Sequence, residues 1–233
     1  MSATLATMLQ SAANDLDAGR YVAAQSQCLK ILQSDRDNVP ATELLGLIAL
    51  KNNVPYLAVE LFEKVLAKGA RSANLHNNLG EAWRLTGDPE KAIDHYRKAL
   101  KLQRDFPQAL NNLGTVQLAQ GRLDAAKAAF QKAARLDPAL TDATNNLGNV
   151  YFAQGDLDMA QKLYLKALAQ NPRFVSAINN LGVVEMRRGN FPSALDQFSK
   201  ALAIDPAFED AKRNIALIRD NTKALTFRPP AAG

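Results

Sequence analysis

The stretch PQALNNLGTVQLAQGRLDAAKAAFQKAARLDPAL, residues 107–140, decides how this chain folds. Over Leu110–Gln117 the side chains that face one side recur at the i, i+3, i+4, i+7 spacing of a helix, and Gly121 then interrupts the pattern. A second amphipathic run follows over Leu123–Ala134. Asp137 ends it, because the residue before a proline is disfavoured in a helix. The stretch therefore predicts two helices joined by a turn.

The same pattern recurs along the chain with a period of 34 residues. Asn-Asn-Leu-Gly occurs at residues 77–80, 111–114, 145–148 and 179–182. The turn glycine and the aromatic residue of the second helix keep the same register: Gly87, Gly121, Gly155 and Gly189, then Tyr96, Phe130, Tyr164 and Phe198. A period of this length predicts helix pairs that stack on their neighbours.

The pattern resembles the tetratricopeptide repeat, with its Leu-Gly, an aromatic residue three positions later (Trp83 and Tyr151), and then Ala, Phe, Ala and Pro. The resemblance implies an all-α, right-handed α-solenoid of about six helix-turn-helix repeats. We expect a single domain over residues 1–222, with units 5–38, 39–72, 73–106, 107–140, 141–174 and 175–208, a capping helix 209–222 and a flexible tail or linker 223–233. The first two units are divergent, because Cys28 replaces an aromatic residue and Asn53 replaces a turn glycine.

Composition argues against most enzyme classes. The net charge of +5 is spread along the chain, whereas nucleic-acid binders concentrate positive charge in a stripe. His76 and His95 lie on different predicted helices, so we expect them to be solvated or packed, and the single cysteine, Cys28, is expected to be a small buried hydrophobe. No phosphate loop or nucleophile elbow is present in the sequence. We expect a cytoplasmic protein with no catalytic activity, cofactor, metal, nucleic-acid partner or membrane insertion.

One face of each first helix is the candidate binding surface. Counted from the start of each unit, positions 4, 7, 8 and 11 cluster on the core side, and positions 5, 6, 9 and 12 lie on the other side. The family resemblance implies that the first helices line a concave groove. Asparagine fills position 6 in five successive units and position 5 in four, and a carboxamide offers both the donor and the acceptor that a peptide main chain needs. The array is similar to the asparagine ladder of O-GlcNAc transferase. The candidate groove residues are Asn77, Asn78, Asn111, Asn112, Leu118, Asn145, Asn146, Asn149, Phe152, Asn179, Asn180, Met186 and Asn214.

Two interpretations of this surface stay open at the level of sequence. The asparagines either bind a ligand or bond to a neighbouring helix. Leu118, Phe152 and Met186 at position 12 either contact apolar side chains of a peptide or pack against the adjacent helix.

We weigh three functions. The first is a non-catalytic scaffold that binds an extended polypeptide. The second is the substrate-recruiting arm of a larger enzyme, such as a protein glycosyltransferase. The third is an assembly protein that self-associates through an apolar N-terminal end at Leu47 and Leu50, whereas Leu9 and Leu16 are expected to be buried together.

Overall fold

The protein consists of paired helices. The computed structural model describes residues 3–226 and the side chains of residues 4–220. Over those residues the chain forms thirteen helices and no strand. The helices are α1 Ala3–Asp17, α2 Tyr21–Ser34, α3 Val39–Lys51, α4 Pro55–Ala67, α5 Ala73–Leu85, α6 Pro89–Leu102, α7 Pro107–Ala119, α8 Leu123–Leu136, α9 Thr141–Ala153, α10 Leu157–Gln170, α11 Val175–Arg187, α12 Phe191–Ile204 and α13 Glu209–Thr226. Apart from a two-residue extension of α1, each predicted unit holds one helix pair, so the all-α helix-turn-helix repeat fold is confirmed.

The C-terminal helix is longer than the sequence predicts. The final helix runs to Thr226, four residues beyond its predicted end at 222, so the predicted tail begins inside a helix. The rest of the predicted tail, residues 227–233, lies outside the described residues. The chain divides into two compact units, Met1–Val116 and Gln117–Gly233, and the division falls within α7. The single-domain prediction stays a prediction, and each unit is described by itself.

A left-handed residue ends the first helix of each of the six pairs. Gly87 has a φ of 86°, and the N–H of Asp88 donates to the carbonyl oxygen of Trp83 at 3.0 Å, which closes the last turn of α5. Asn53 takes the same place after α3 with a φ of 56°. Asparagine tolerates this conformation better than other residues with a side chain, so the missing glycine leaves the turn intact.

Side chains also fix several helix starts. Ser72 accepts a hydrogen bond from the N–H of Leu75 at 3.0 Å, and Asp156 accepts one from Met159 at 3.0 Å. Such caps satisfy amide groups that have no partner inside the helix.

The core of the first unit lies between successive helix pairs. Phe62 and Tyr96 are fully buried, one in each of two neighbouring pairs. Cys28 is fully buried beside Leu9, and burial raises the pKa of its thiol to about 11, so the prediction of a small buried hydrophobe is confirmed. Leu16 packs against the same cluster as Leu9, as expected.

Leu47 and Leu50 are half-buried and pack against the cluster that contains Phe62. This packing covers part of the surface on which the predicted self-association depends. Self-association stays a prediction.

In the second unit, the large aromatic residues of α10 and α12 each lie against a glycine of the first helix of the pair. A Cβ atom on Gly148 would come 2.5 Å from the Cε1 atom of Tyr164, and Gly182 stands in the same relation to Phe198. The lack of a side chain at these glycines allows the close approach of the paired helices. First and second helices are thereby held in a fixed relation, which positions the polar face of the first helices.

Candidate functional site

The predicted groove residues all lie on the first helices α5, α7, α9 and α11 and on α13. In the first unit α3 contacts both α1 and α5, and in the second unit α11 contacts both α9 and α13. The side chains of these helices therefore form a continuous surface within each unit. We call the surface of each unit its asparagine face and define it by the asparagines at positions 5 and 6. These are Asn77, Asn78, Asn111 and Asn112 in the first unit, and Asn145, Asn146, Asn179, Asn180 and Asn214 in the second.

Asparagines of successive repeats are hydrogen-bonded to each other. In the first unit the Nδ2 of Asn112 donates to the Oδ1 of Asn77 at 3.1 Å. In the second unit the Nδ2 of Asn180 donates to the Oδ1 of Asn145 at 2.9 Å. The donor is at position 6 and the acceptor is at position 5 of the preceding repeat, so each of these hydrogen bonds forms one rung of a ladder.

The last rung joins the final helix to the repeat before it, because the Nδ2 of Asn214 donates to the Oδ1 of Asn179 at 3.1 Å. The structure therefore shows directly that these asparagines bond to a neighbouring helix. This arrangement was one of the two that the sequence left open, and it does not by itself exclude ligand binding.

The two ends of a rung differ in exposure. The acceptors Asn145 and Asn179 are 4% and 5% exposed, whereas the donors Asn112, Asn180 and Asn214 are only half-buried. Over the described residues, no group donates a hydrogen bond to the Oδ1 atoms of these three donors. Each of these carboxamides is thus held in place through its nitrogen and keeps an oxygen available as an acceptor.

The residue at position 9 of some repeats makes further hydrogen bonds, in addition to those between positions 5 and 6. Asn149 accepts one from the hydroxyl of Tyr164 at 2.8 Å and another from the Nδ2 of Asn180 at 3.0 Å. Asn149, which the sequence predicts to be a groove residue, therefore links its own second helix to the next repeat.

Glu81 takes the same position in the first unit. The hydroxyl of Tyr96 donates to its carboxylate at 3.0 Å, and the guanidinium group of Arg84 donates at 2.8 and 2.6 Å. Burial raises the pKa of the Glu81 carboxyl, but the hydrogen bonds from Arg84 and Tyr96 outweigh it and hold that pKa below its usual range.

The sequence contains a signal for these hydroxyl contacts that our sequence analysis missed. The aromatic residue is tyrosine in the repeats where position 9 is Glu81 or Asn149, and phenylalanine, Phe198, in the repeat where position 9 is Val183. A buried tyrosine hydroxyl needs a partner, and in these three repeats tyrosine occurs where position 9 offers an acceptor. The repeat with Phe130 has the polar Thr115 at position 9, so the correspondence does not extend to every repeat.

The three apolar candidates at position 12 are half-buried. Leu118, Phe152 and Met186 each pack against a core cluster of the second unit. The guanidinium carbon of Arg187 lies 5.6 Å from the ring centroid of Phe152, so this ring also meets a cation. These side chains thus pack against neighbouring helices and still expose part of their surface.

In the part of the chain that the structure describes, every helix is too short or too polar to span a bilayer. In the same residues, no cluster of three or more histidine, cysteine or acidic side chains is arranged to hold a metal ion.

Comparison with known families identifies the class of protein. A tetratricopeptide repeat model matches residues 43–107, 87–141 and 145–207, which together cover more than half of the chain. The chain belongs to the tetratricopeptide repeat family. Proteins of this family generally mediate protein–protein interactions and scaffolding, and the fold is typically non-catalytic.

Several solved structures share the fold. A chain of the APC/C hetero-tetramer Cut9–Hcn1 superposes with a TM-score of 0.81 at 18% identity over 91% of this chain. The present chain spans 42% of that one, which is less than half of its length. PilW, a type IV pilus biogenesis factor, superposes with a TM-score of 0.78 at 20% identity, over 92% of this chain and 100% of that one.

A third structure is YrrB, described as a tetratricopeptide repeat protein with an unusual peptide-binding site. Its TM-score is 0.56 at 22% identity, over 80% of this chain and 96% of that one. No curated protein matches the sequence.

Proposed function

We propose that this chain is a non-catalytic scaffold that binds an extended polypeptide on its asparagine face. The observation that carries the proposal is the set of acceptor oxygens on Asn112, Asn180 and Asn214, each held through its own amide nitrogen and without a donor among the described residues. A peptide main chain supplies N–H donors at regular intervals, whatever its side chains are. The ligand is therefore recognised mainly through its backbone, with modest sequence selectivity.

Apolar side chains of the ligand meet the position 12 residues. Leu118, Phe152 and Met186 lie on the same side of their helices as the asparagines, and each is half-buried with some surface exposed. Side chains of this size bind apolar partners by removing surface from water, which is worth about 25 cal/mol per Å² of apolar area. The peptide-binding site described for YrrB is consistent with a peptide ligand here.

The decisive test modifies the ligand as well as the protein. Peptides are first selected on the whole chain from a display library, and the affinity of one selected peptide is then measured by calorimetry. N-methylation of single peptide amides removes main-chain donors one at a time. We expect some methylated positions to weaken binding by about tenfold, because each lost hydrogen bond is worth about 0.5–1.5 kcal/mol.

Matched variants locate the surface. The side chain of Asn78 has no hydrogen bond among the described residues, so Asn78→Ala changes the asparagine face of the first unit without breaking a rung. Phe152→Ala removes an apolar side chain beside the asparagine face of the second unit, and Leu165→Ala removes an exposed leucine from the second helix α10. We expect Phe152→Ala to weaken peptide binding, Asn78→Ala to weaken binding of peptides that reach the first unit, and Leu165→Ala to leave binding unchanged. The proposal is wrong if Leu165→Ala weakens binding while both other variants bind as the wild type does.

The remaining expectations stay proposals of the same kind. Cytoplasmic location, the absence of a nucleic-acid partner and self-association through Leu47 and Leu50 rest on sequence alone. Light scattering over a range of protein concentrations tests self-association, and a constant monomer mass contradicts it.

A further inference from the structure

A pocket of about 560 Å³ in the first unit has no lining residue on the asparagine face. Residues of α4, α5 and α6 and of the loop before α5 form its walls: Leu66, Arg71, His76, His95, Lys98, Lys101 and Leu102. Its volume lies within the range of about 300–1,000 Å³ that is usual for small-molecule sites.

The two histidines of the protein meet in this pocket. The Nδ1 atoms of His76 and His95 are 3.1 Å apart, so the N–H of one ring donates a hydrogen bond to the unprotonated nitrogen of the other. The corresponding positions of the next repeat hold Leu110 and Ala129. One repeat further along, the same positions hold Thr144 and Leu163, and α9 and α10 pack against each other, so helix pairing does not require the histidines.

Positive charge around the histidines is only partly neutralised. Lys98 pairs with Asp94 at 2.7 Å, but Arg71 and Lys101 have no ion-pair partner among the described residues. Lys98 and Lys101 are also three residues apart on α6, a spacing at which like charges destabilise a helix. Three cations and one carboxylate leave the pocket with two net positive charges.

Helix dipoles do not decide the sign of the ligand here. The pocket is lined by the first turn of α5, where an anion is favoured, and by the last turn of α6, where it is disfavoured. These contributions oppose each other, so the charged side chains determine the preference.

We propose that this pocket binds a phosphate monoester dianion, with Arg71 and Lys101 as its charge partners. His76 and His95 line the pocket, and one of their rings takes up a proton when the dianion binds. A phosphate monoester carries a charge of about −1.5 to −2 near neutral pH, which matches the net charge of the pocket. This site is independent of peptide binding on the asparagine face, so either proposal can fail without the other.

Proton uptake follows from the surroundings of the two rings. The pKa of His95 is lowered to about 4, mainly by burial and then by the positive charge of Lys98 and by His76, while Asp94 opposes the shift. Burial also lowers the pKa of His76, with Lys98 and Arg71 lowering it and Asp94 raising it. Both rings are therefore neutral near pH 7. A bound dianion favours the charged imidazolium, so anion affinity rises as the pH falls.

The histidines themselves provide the first measurement. The protein has two histidines, so the imidazole signals in an NMR spectrum report on this pocket alone. We expect inorganic phosphate, added at constant ionic strength, to shift the signals of both rings. Sulfate stays a dianion in mildly acidic solution, and we expect its dissociation constant to fall between about pH 7 and about pH 5. Unchanged imidazole signals with both anions overturn the proposal.

Two further probes distinguish the sources of a phosphate monoester. Free O-phosphoserine represents a small phosphorylated molecule, and a peptide containing phosphoserine represents a modified protein. Equal affinities indicate a free phosphorylated molecule, and a much tighter peptide indicates a protein source. Equal affinities for the phosphorylated and unphosphorylated peptides overturn the proposal.

Matched variants separate specific pairing from general surface charge. We expect Arg71→Gln to weaken sulfate binding by about tenfold or more, because it removes a charge-assisted contact. The control Arg135→Gln removes an exposed cation of the second unit and should leave binding unchanged. The double variant His76→Leu/His95→Ala carries the residues of the next repeat and should bind sulfate with an affinity that no longer depends on pH. Circular dichroism checks that each variant is folded. Equal losses in Arg71→Gln and Arg135→Gln overturn the proposal.

Discussion

At the scale of single residues, the carboxamide of Asn180 connects its repeat to two asparagines of the preceding repeat. Asn180 donates to Asn145 at 2.9 Å and to Asn149 at 3.0 Å, and its own oxygen has no donor among the described residues. If the proposed function is right, the amide nitrogen of Asn180 has a structural role and its oxygen has the binding role. An alanine substitution there removes both roles at once, so loss of ligand binding in such a variant needs a separate check on stability.

Asn180→Ala should destabilise the protein, whereas Asn78→Ala should not. Loss of Asn180 leaves the Oδ1 of Asn145 buried without this donor, which costs about 1–3 kcal/mol. Asn78 occupies the same repeat position, but its side chain has no hydrogen bond among the described residues. Its loss should therefore change the free energy of unfolding by less than about 0.5 kcal/mol. Urea unfolding of both variants measures the difference. Equal unfolding free energies for the two would show that the rung contributes little.

The histidine pair should make stability depend on pH. The pKa of His95 is lowered to about 4 in the folded chain, against about 6.5 for an ordinary histidine, so the unfolded chain binds more protons between these values. The contribution is present above about pH 6.5 and is lost as the pH falls towards about 4. Urea midpoints across this range should fall for the wild type. They should fall less for His76→Leu/His95→Ala, and parallel curves would contradict the assignment.

At the scale of elements, the approach of paired helices depends on glycine. Helix propensity alone predicts that Gly148→Ala stabilises α9 by about 1 kcal/mol. The added Cβ would lie 2.5 Å from the ring of Tyr164, so we expect a net loss of about 1–3 kcal/mol instead. The same substitution in a Tyr164→Leu background, where the ring is absent, should cost less. Thermal unfolding of the four proteins gives the coupling energy, and a coupling of zero would mean that the ring moves aside freely.

At the scale of the whole molecule, stability should vary along the chain. In a repeat protein each repeat is stabilised by itself and by its immediate neighbours. Among the described residues, the pair α1–α2 packs against α3, and Cys28 gives it a smaller core residue than the aromatic of other pairs. We therefore expect faster amide hydrogen exchange in α1 and α2 than in α5 and α6. Exchange followed by peptide mass spectrometry tests this, and uniform protection across these four helices would contradict it.

The sequence predicts most of the fold because the 34-residue period reports how helices pack. Helix bounds, the turn at Asn53 and the burial of Cys28 all follow from the place of each residue in the period. The contact between His76 and His95 does not follow from it, because they are 19 residues apart and no other repeat has the pair. The hydrogen bonds between asparagines of successive repeats could not be predicted from the sequence, for a related reason. Whether an exposed asparagine turns to a ligand or to the next helix depends on inter-helix distances that the sequence pattern does not contain.

The position of each rung has a consequence for how such a chain grows. Each Asn-Asn-Leu-Gly repeat carries an asparagine acceptor at position 5 and an asparagine donor at position 6. One 34-residue segment therefore encodes both a donor for the repeat before it and an acceptor for the repeat after it. A gene duplication that copies one such segment, or a deletion that removes one, joins a donor to a matching acceptor at the new boundary. Descendants of this sequence can therefore change length by whole repeats without first evolving a new hydrogen bond at the junction.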